Sequence, residues 1–505
     1  MMKRKLAPLA GLVALALTVS AHAAEERRLV ADAVHNLTAT RGAMASAYTI
    51  DSRILHETRR IFVLTPPSFQ RSAPSRHYPV TVVLDGEYLM PTVAVVMDEL
   101  SRNGQIPESI IVGIENISME SSMASNEKRV YDLTPPGLSV SGSDRHQGGD
   151  AFLDFIEKEL LPEIDQKFRG AAPRILIGVS SGAVLATYAA ATRPAFAVVI
   201  SLDAPIALDD NWLAMRLRER ARKTSPLRYA TLEAKFGWPE AEWKELTASA
   251  PTTWRLFREK LPLEGHETVQ MVGAYTGLRQ LFGDYSRLSA PMAPTASILP
   301  YYETVSASLG SAVVPPRRVL REVIENLISE GRGAAARATH DTLVQAYGGE
   351  KDDAALLSQI ADAERLPPPS ETVESLLSVR FPSPEEAAGI IGDWTGDIWM
   401  RDGQPRKGDL VLRIRVVDGR VIGETVRRGP GGDSMVRRWD YLKITPEGFT
   451  WGVLNGRRPR GVMLFVGKVK GDVLGGESRW GGVRVTMPDG SPSEPLHFSF
   501  KRIRN

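Results

Sequence analysis

Residues 175–190 read ILIGVSSGAVLATYAA, an apolar β-branched run that breaks at Gly178-Val179-Ser180-Ser181-Gly182 and resumes at once as a helical pattern of small residues. The stretch demands a strand, a tight turn and a helix, in that order. Such a turn lifts the Ser180 hydroxyl clear of the sheet, while glycines two before and two after it leave room for the backbone. The following helix then points its N-terminus at any negative charge that develops nearby. This is the pattern of a nucleophile elbow, and it makes Ser180 the first candidate functional residue.

The surroundings of the elbow predict a mostly parallel sheet covered on both faces, because strand runs alternate with helical patterns from residue 24 to about 290. Strands are expected at 59–66, 78–85, 109–116, 174–179 and 197–204, and an amphipathic helix at 150–168, where Phe152, Leu153, Phe155, Ile156, Leu160, Leu161 and Ile164 recur at helical spacing. Residues 291–388 turn to Ala, Glu and Arg with proline clusters at Pro315-Pro316 and Pro367-Pro368-Pro369, a helical connector. Residues 389–505 alternate apolar and polar positions between Asp-Gly and Gly-Asp turns, which predicts an antiparallel β-barrel-like or sandwich domain of about eight strands. Five of the nine tryptophans, Trp394, Trp399, Trp439, Trp451 and Trp480, lie in this last part and are read as aromatic plugs of its core. Arg457, Arg458 and Arg460 read as a solvated hairpin tip.

The chain opens MMKRKLAPLAGLVALALTVSAHA, in which Lys3, Arg4 and Lys5 precede an apolar stretch and Ala21-His22-Ala23 offers a cleavage site. Residues 1–23 are therefore expected to be a signal peptide, since an apolar core of about 13 residues falls short of the roughly 18 to 20 that a spanning helix needs. Export would place the mature chain in the periplasm or outside a bacterial cell. The absence of cysteine excludes disulfides, thiolate metal sites and a lipid-modified N-terminal cysteine. A formal net charge of +2 over 505 residues supplies no global field for nucleic acid or anionic lipid, so a small-molecule partner is expected. No residue spacing suggests a metal, and no glycine-rich loop suggests a nucleotide cofactor.

Several segments, in order, resemble the putative esterase family of the α/β hydrolases, the branch that includes siderophore esterases. They are RRIFVLTPPSF, YPVTVVLDGEYL, IPESIIVGIEN followed by Arg129 and Asp132-Leu133-Thr134-Pro135, FLDFIEKELLPEIDQKF, the GVSSG elbow, Thr192-Arg193-Pro194, and LPLEGHETVQMVGAYTGLRQLF. The similarity spans about residues 45–290. It implies an α/β hydrolase domain at 24–290 and a serine esterase mechanism, with the chain order nucleophile, acid, base. Of eight histidines, only His266 follows the elbow within this domain, so it is the expected general base. Glu233, closing the strand-like LRYATLEA, is the first choice for the acid that orients the imidazole. Asp203, in SLDAP, and Glu240 are alternatives, as is a Ser-His dyad without an acid.

The oxyanion is expected to meet the Ser181 amide and the amide of Gly86 in the Asp85-Gly86-Glu87 turn. Arg129 and Asp132 are read as an ion pair bracing their loop. The chain departs from the family pattern at Val179, at Ser181-Gly182 and at Glu267-Thr268, beside both proposed reacting groups. The expected activity is hydrolysis of carboxylic esters, siderophore-type or otherwise bulky. The alternative is a degenerate hydrolase domain acting as a ligand-binding protein with a β-rich module.

Overall fold

The computed structural model describes residues 29–40, 43–116, 122–138, 147–223, 225–286, 295–399, 405–429, 432–455, 461–485 and 493–503. The expected signal peptide at 1–23 and Arg457, Arg458 and Arg460 lie outside these residues. The chain divides into two compact units, residues 1–287 with 301–316 and residues 288–300 with 317–505.

The first unit is built on nine strands: β1 (Leu29–Thr40), β2 (Ala43–Ser52), β3 (Glu57–Leu64), β4 (Tyr78–Val83), β5 (Ile110–Ile114), β6 (Gly170–Val179), β7 (Phe196–Leu202), β8 (Leu227–Glu233) and β9 (Trp254–Lys260). They lie in the order β1-β2-β3-β5-β4-β6-β7-β8-β9. The first three strands and the β3–β5 pair are antiparallel; from β5 to β9 every pair is parallel. Every residue of β4 (YPVTVV) and β5 (IIVGI) is buried, as a strand covered on both faces requires.

The cover comes from the helices α1 (Gly86–Arg102), α2 (Ser122–Leu133), α3 (Gly149–Phe155), α4 (Leu161–Phe168), α5 (Ser181–Thr192), α6 (Leu208–Ala221), α7 (Glu240–Ser249) and α8 (Val269–Leu281). Alternate residues of β7 face opposite sides. Val199 joins the core cluster with Ala183, Leu185 and Leu217 of α5 and α6. Ile200 instead abuts Gly277 of α8, where an added Cβ would come within 3.1 Å of it. The helix expected at 150–168 forms as α3, a π-helical turn at Ile156–Leu160, and α4. This is the doubly covered sheet expected of an α/β hydrolase, extended at one edge by the β1–β2 hairpin, which the sequence reading does not contain.

The parallel run fixes where a site can form. β4, β6, β7, β8 and β9 all point the same way, so the loops leaving their carboxyl ends gather along one edge of the sheet.

The second unit contains the helices Arg317–Ser329, Gly333–Tyr347, Asp353–Arg365 and Val373–Leu377 and a second sheet. Its strands are β10 (Gly392–Trp399), β11 (Pro405–Val417), β12 (Arg420–Gly429), β13 (Gly432–Arg438), β14 (Tyr441–Thr445), β15 (Gly448–Asn455), β16 (Gly461–Lys470), β17 (Val473–Gly481) and β18 (His497–Arg502). Nine strands form it where about eight are expected, in the order β13-β12-β11-β10-β18-β17-β16-β15-β14. The two ends of that order, β13 and β14, are consecutive in the chain and joined only by Trp439 and Asp440. Trp439 N–H donates to Gly423 O of β12 and Asp440 N–H to Gly452 O of β15, so the link bonds to the strand next to each end. A buried core cluster of this unit holds Trp394, Trp439, Phe449, Trp451, Phe465, Phe498 and Phe500. Trp451 stacks on Phe465 at 5.0 Å and meets Phe498 edge-on at 4.9 Å. Trp394, Trp439 and Trp451 are thus core residues, whereas Trp399 and Trp480 are half-buried.

Candidate active site

Ser180 follows β6 directly and adopts φ 56°, ψ −121°, a left-handed conformation that a non-glycine residue takes only under constraint. Its N–H donates to Leu202 O at 3.0 Å, pinning the turn to β7. The flanking glycine is required by contact, because a Cβ on Gly178 would lie 2.3 Å from the backbone of Gly182. Sequence, strain and packing agree here: the residue at the apex of the turn is held there by its neighbours.

His266 lies in the loop between β9 and α8, half-buried, with the ring of Phe236 edge-on at 5.4 Å. Its Nδ1 sits 2.6 Å from Oδ2 of Asp203, a fully buried residue just beyond β7. The other carboxylate oxygen of Asp203 accepts three backbone N–H groups, from Ala234, Lys235 and Phe236, at 2.8, 2.8 and 2.7 Å. A buried charge so fully hydrogen-bonded is affordable, and it cannot turn away from the imidazole. Because the carboxylate can only accept, the Nδ1 proton stays on its side and Nε2 is left as the basic nitrogen.

The acid position therefore departs from the first choice made on sequence. Glu233 is buried at the end of β8, but both its oxygens are taken by Arg258 Nε at 2.9 and 3.0 Å, and Oε1 also accepts the Trp238 N–H at 2.9 Å. It braces the β8–β9 loops and touches no part of His266. Glu240 has a side chain 78% exposed and pairs with Arg258 Nη1. The loop after β8 does contribute, but through its three amides, which hold the Asp203 carboxylate at the end of β7.

Glu233→Ala should therefore act on stability rather than on chemistry. Arg258 would lose the partner of its Nε while Nη1 keeps Glu240 and Nη2 keeps Trp238 O, a loss expected to cost about 1–3 kcal/mol, read as a lowered thermal midpoint, while kcat of the folded protein changes by less than about threefold. A loss of kcat without loss of stability would return Glu233 to the reacting groups.

Ser180 and His266 line one cavity of about 330 Å³ together with Asp85, Glu87, Tyr88, Arg129, Val179, Glu267 and Gln270. That volume is at the lower end of what small-molecule sites use. The oxyanion candidates Gly86 and Ser181 are the first residues of α1 and α5, and the cavity wall is made by their neighbours Asp85, Glu87 and Ser180. Gly86 can be nothing larger, since a Cβ would lie 2.5 Å from the backbone of Gly113. Asp85 precedes it at φ 51°, ψ 49°, and its N–H donates to Asn116 Oδ1 at 3.0 Å.

Arg129 and Asp132 are not a pair. Arg129 grips Asp85 with Nε at 2.7 Å and Nη2 at 2.8 Å, whereas Asp132 is buried against Arg59 and Lys128. Burial pulls the Arg129 pKa down, but the Asp85 hydrogen bond and the charges of Asp85 and Glu87 outweigh it and hold the pKa above its ordinary value. Tyr88, Glu87 and Gln270 are wall residues that the sequence reading missed. The only available signals were their positions just after the Asp85-Gly86 turn and four residues beyond His266.

The family model described as "Putative esterase" matches residues 52–246, a span that takes in Ser180 and Asp203 and ends before His266. A siderophore triacetylfusarinine C esterase of Aspergillus fumigatus is 28% identical over 118 residues, 23% of this chain; the match spans only 40% of that relative's length. Among solved structures, an IroE-like serine hydrolase from Shewanella oneidensis is 27% identical with a TM-score of 0.49, covering 59% of this chain and 98% of that one. The siderophore hydrolase EstB from Aspergillus nidulans is 19% identical with a TM-score of 0.39, covering 46% and 94%.

Proposed function

We propose that this chain, which carries a domain of the "Putative esterase" family at residues 52–246, is a serine hydrolase of carboxylic esters. The observation that carries the reading is the 2.6 Å contact between His266 and the buried Asp203, in a cavity that also holds the strained Ser180. Ser180 attacks the ester carbonyl while Nε2 of His266 takes its proton. Asp203 holds the ring in the tautomer that makes this transfer possible and balances the imidazolium that results.

The negative charge on the former carbonyl oxygen is met by amides at the starts of α1 and α5, those of Gly86 and Ser181. The tetrahedral intermediate collapses, the alcohol leaves with the proton from His266, and an acyl group remains on Ser180. Water, deprotonated by the same imidazole, then releases the acid. Bulky esters of the kind named for the relatives, siderophores among them, are the first substrate class to test. No helix among the described residues is long and apolar enough to cross a membrane; residues 1–23, read as a signal peptide, would place the action in the periplasm or beyond.

A fluorophosphonate probe tests the mechanism directly, because it modifies a serine only where a neighbouring base activates it. Stoichiometric labelling mapped to Ser180 is the expected result. Folded protein that takes no label would instead favour a ligand-binding role for the domain.

A further inference from the structure

The walls of the cavity are short of positive charge. Three carboxylates, Asp85, Glu87 and Glu267, line it against a single guanidinium, that of Arg129. Nε and Nη2 of that guanidinium both donate to Asp85, so these two charges offset each other and the carboxylates of Glu87 and Glu267 set the sign of the wall. The side of the mouth next to His266 carries Tyr88, Glu267 and Gln270. Tyr88 OH lies 3.2 Å from Glu267 Oε2. Gln270 is 94% buried, since its relative exposure is 6%. Its amide nitrogen donates to Tyr88 OH at 2.6 Å and to Glu267 O at 3.1 Å, while no donor among the described residues reaches its carbonyl oxygen. Gln270 lines the cavity, so its carbonyl oxygen, which no donor among the described residues reaches, is open to an N–H donor on a ligand.

We infer that the site selects esters whose acyl part carries a primary ammonium or guanidinium group, bound among Gln270 Oε1, the Glu267 carboxylate and the face of Tyr88. The three elements come from different places in the chain: Tyr88 from α1, Glu267 from the loop that carries the base, and Gln270 from α8. Each recognises a cation by a different means, hydrogen bonding, charge and ring quadrupole. Glu267 immediately follows His266, so a cation held there lies next to the reacting atoms. The inference rests on the esterase reading and adds the charge of the substrate to it.

The test compares three p-nitrophenyl esters of equal chain length on the full-length protein: hexanoate, 6-aminohexanoate and the monoester of adipate. At low salt, kcat/KM is expected to rank ammonium over neutral over carboxylate, with at least about a tenfold step at each change of charge. The steps should shrink as ionic strength rises. Glu267→Gln should cut the ammonium-to-neutral ratio severalfold, and a ratio unmoved by that substitution overturns the assignment. Equal rates, or a preference for the carboxylate, would overturn the charge selection and leave the serine esterase standing. No turnover of any of the three would overturn both.

Discussion

Ser180→Ala is expected to lower ester turnover by about 10⁴- to 10⁶-fold, the range seen when the nucleophile of a serine hydrolase is removed. The substitution deletes one oxygen and nothing else. The Ser180 backbone conformation is imposed by β6, by the bond from its N–H to Leu202 O and by the contact of Gly178 with Gly182, none of which involves the hydroxyl. The thermal midpoint should therefore stay within a few degrees of the parent, and circular dichroism should be superimposable. Steady-state kinetics on an aryl ester gives the readout. A variant that is folded and retains more than about one per cent of the parent kcat would mean that some other group attacks the carbonyl.

Asp203→Asn should reduce kcat by about 10³- to 10⁴-fold, by changing the tautomer of the base rather than its position. Asparagine can keep the three amide bonds from Ala234, Lys235 and Phe236 through its carbonyl oxygen. What then faces His266 Nδ1 is an NH₂ group, a donor where the carboxylate was an acceptor. Nδ1 must accept, the ring proton moves to Nε2, and the nitrogen that should receive the Ser180 proton is already occupied. KM is expected to move little, because Asp203 does not line the cavity. A decrease smaller than about tenfold would favour a Ser-His dyad that works without an acid.

Much of the fold was legible because its strands are continuous β-branched runs. VTVV, IIVG and ILIG need cover on both faces, and a chain of such runs separated by helical periodicity has few other ways to fold. The β1–β2 hairpin escaped notice because its residues, LVADAVHNLTAT and AMASAYTIDS, carry no comparable apolar run. That Ser180 and His266 would share one cavity was legible for a different reason: a Gly-x-Ser-x-Gly turn announces its own geometry, and only one histidine follows it in the domain.

Which carboxylate meets His266 was not legible. Asp203 and Glu233 each close a parallel strand, β7 and β8, and nothing in sequence spacing says which strand end leans toward the imidazole. What decides it is the partner each carboxylate finds. Arg258, across the β8–β9 register, takes Glu233, and the loop after β8 turns three amides toward Asp203. Such preferences exist only after strands pair. The same holds for Arg129, whose partner is Asp85, 44 positions earlier in the chain, and not Asp132, one turn away on the same helix.

The reacting groups leave the sheet from separate strands, and the last of them, His266, arrives after β9. Translation delivers the hydroxyl and the carboxylate well before the imidazole. A nascent chain that has not yet laid its final parallel strand thus holds an inert alcohol beside an empty seat. On the proposed mechanism the polypeptide would gain reactivity toward esters only once the segment carrying the imidazole has folded, so a truncation or a stalled ribosome short of the histidine would yield a product with no chemistry to misdirect.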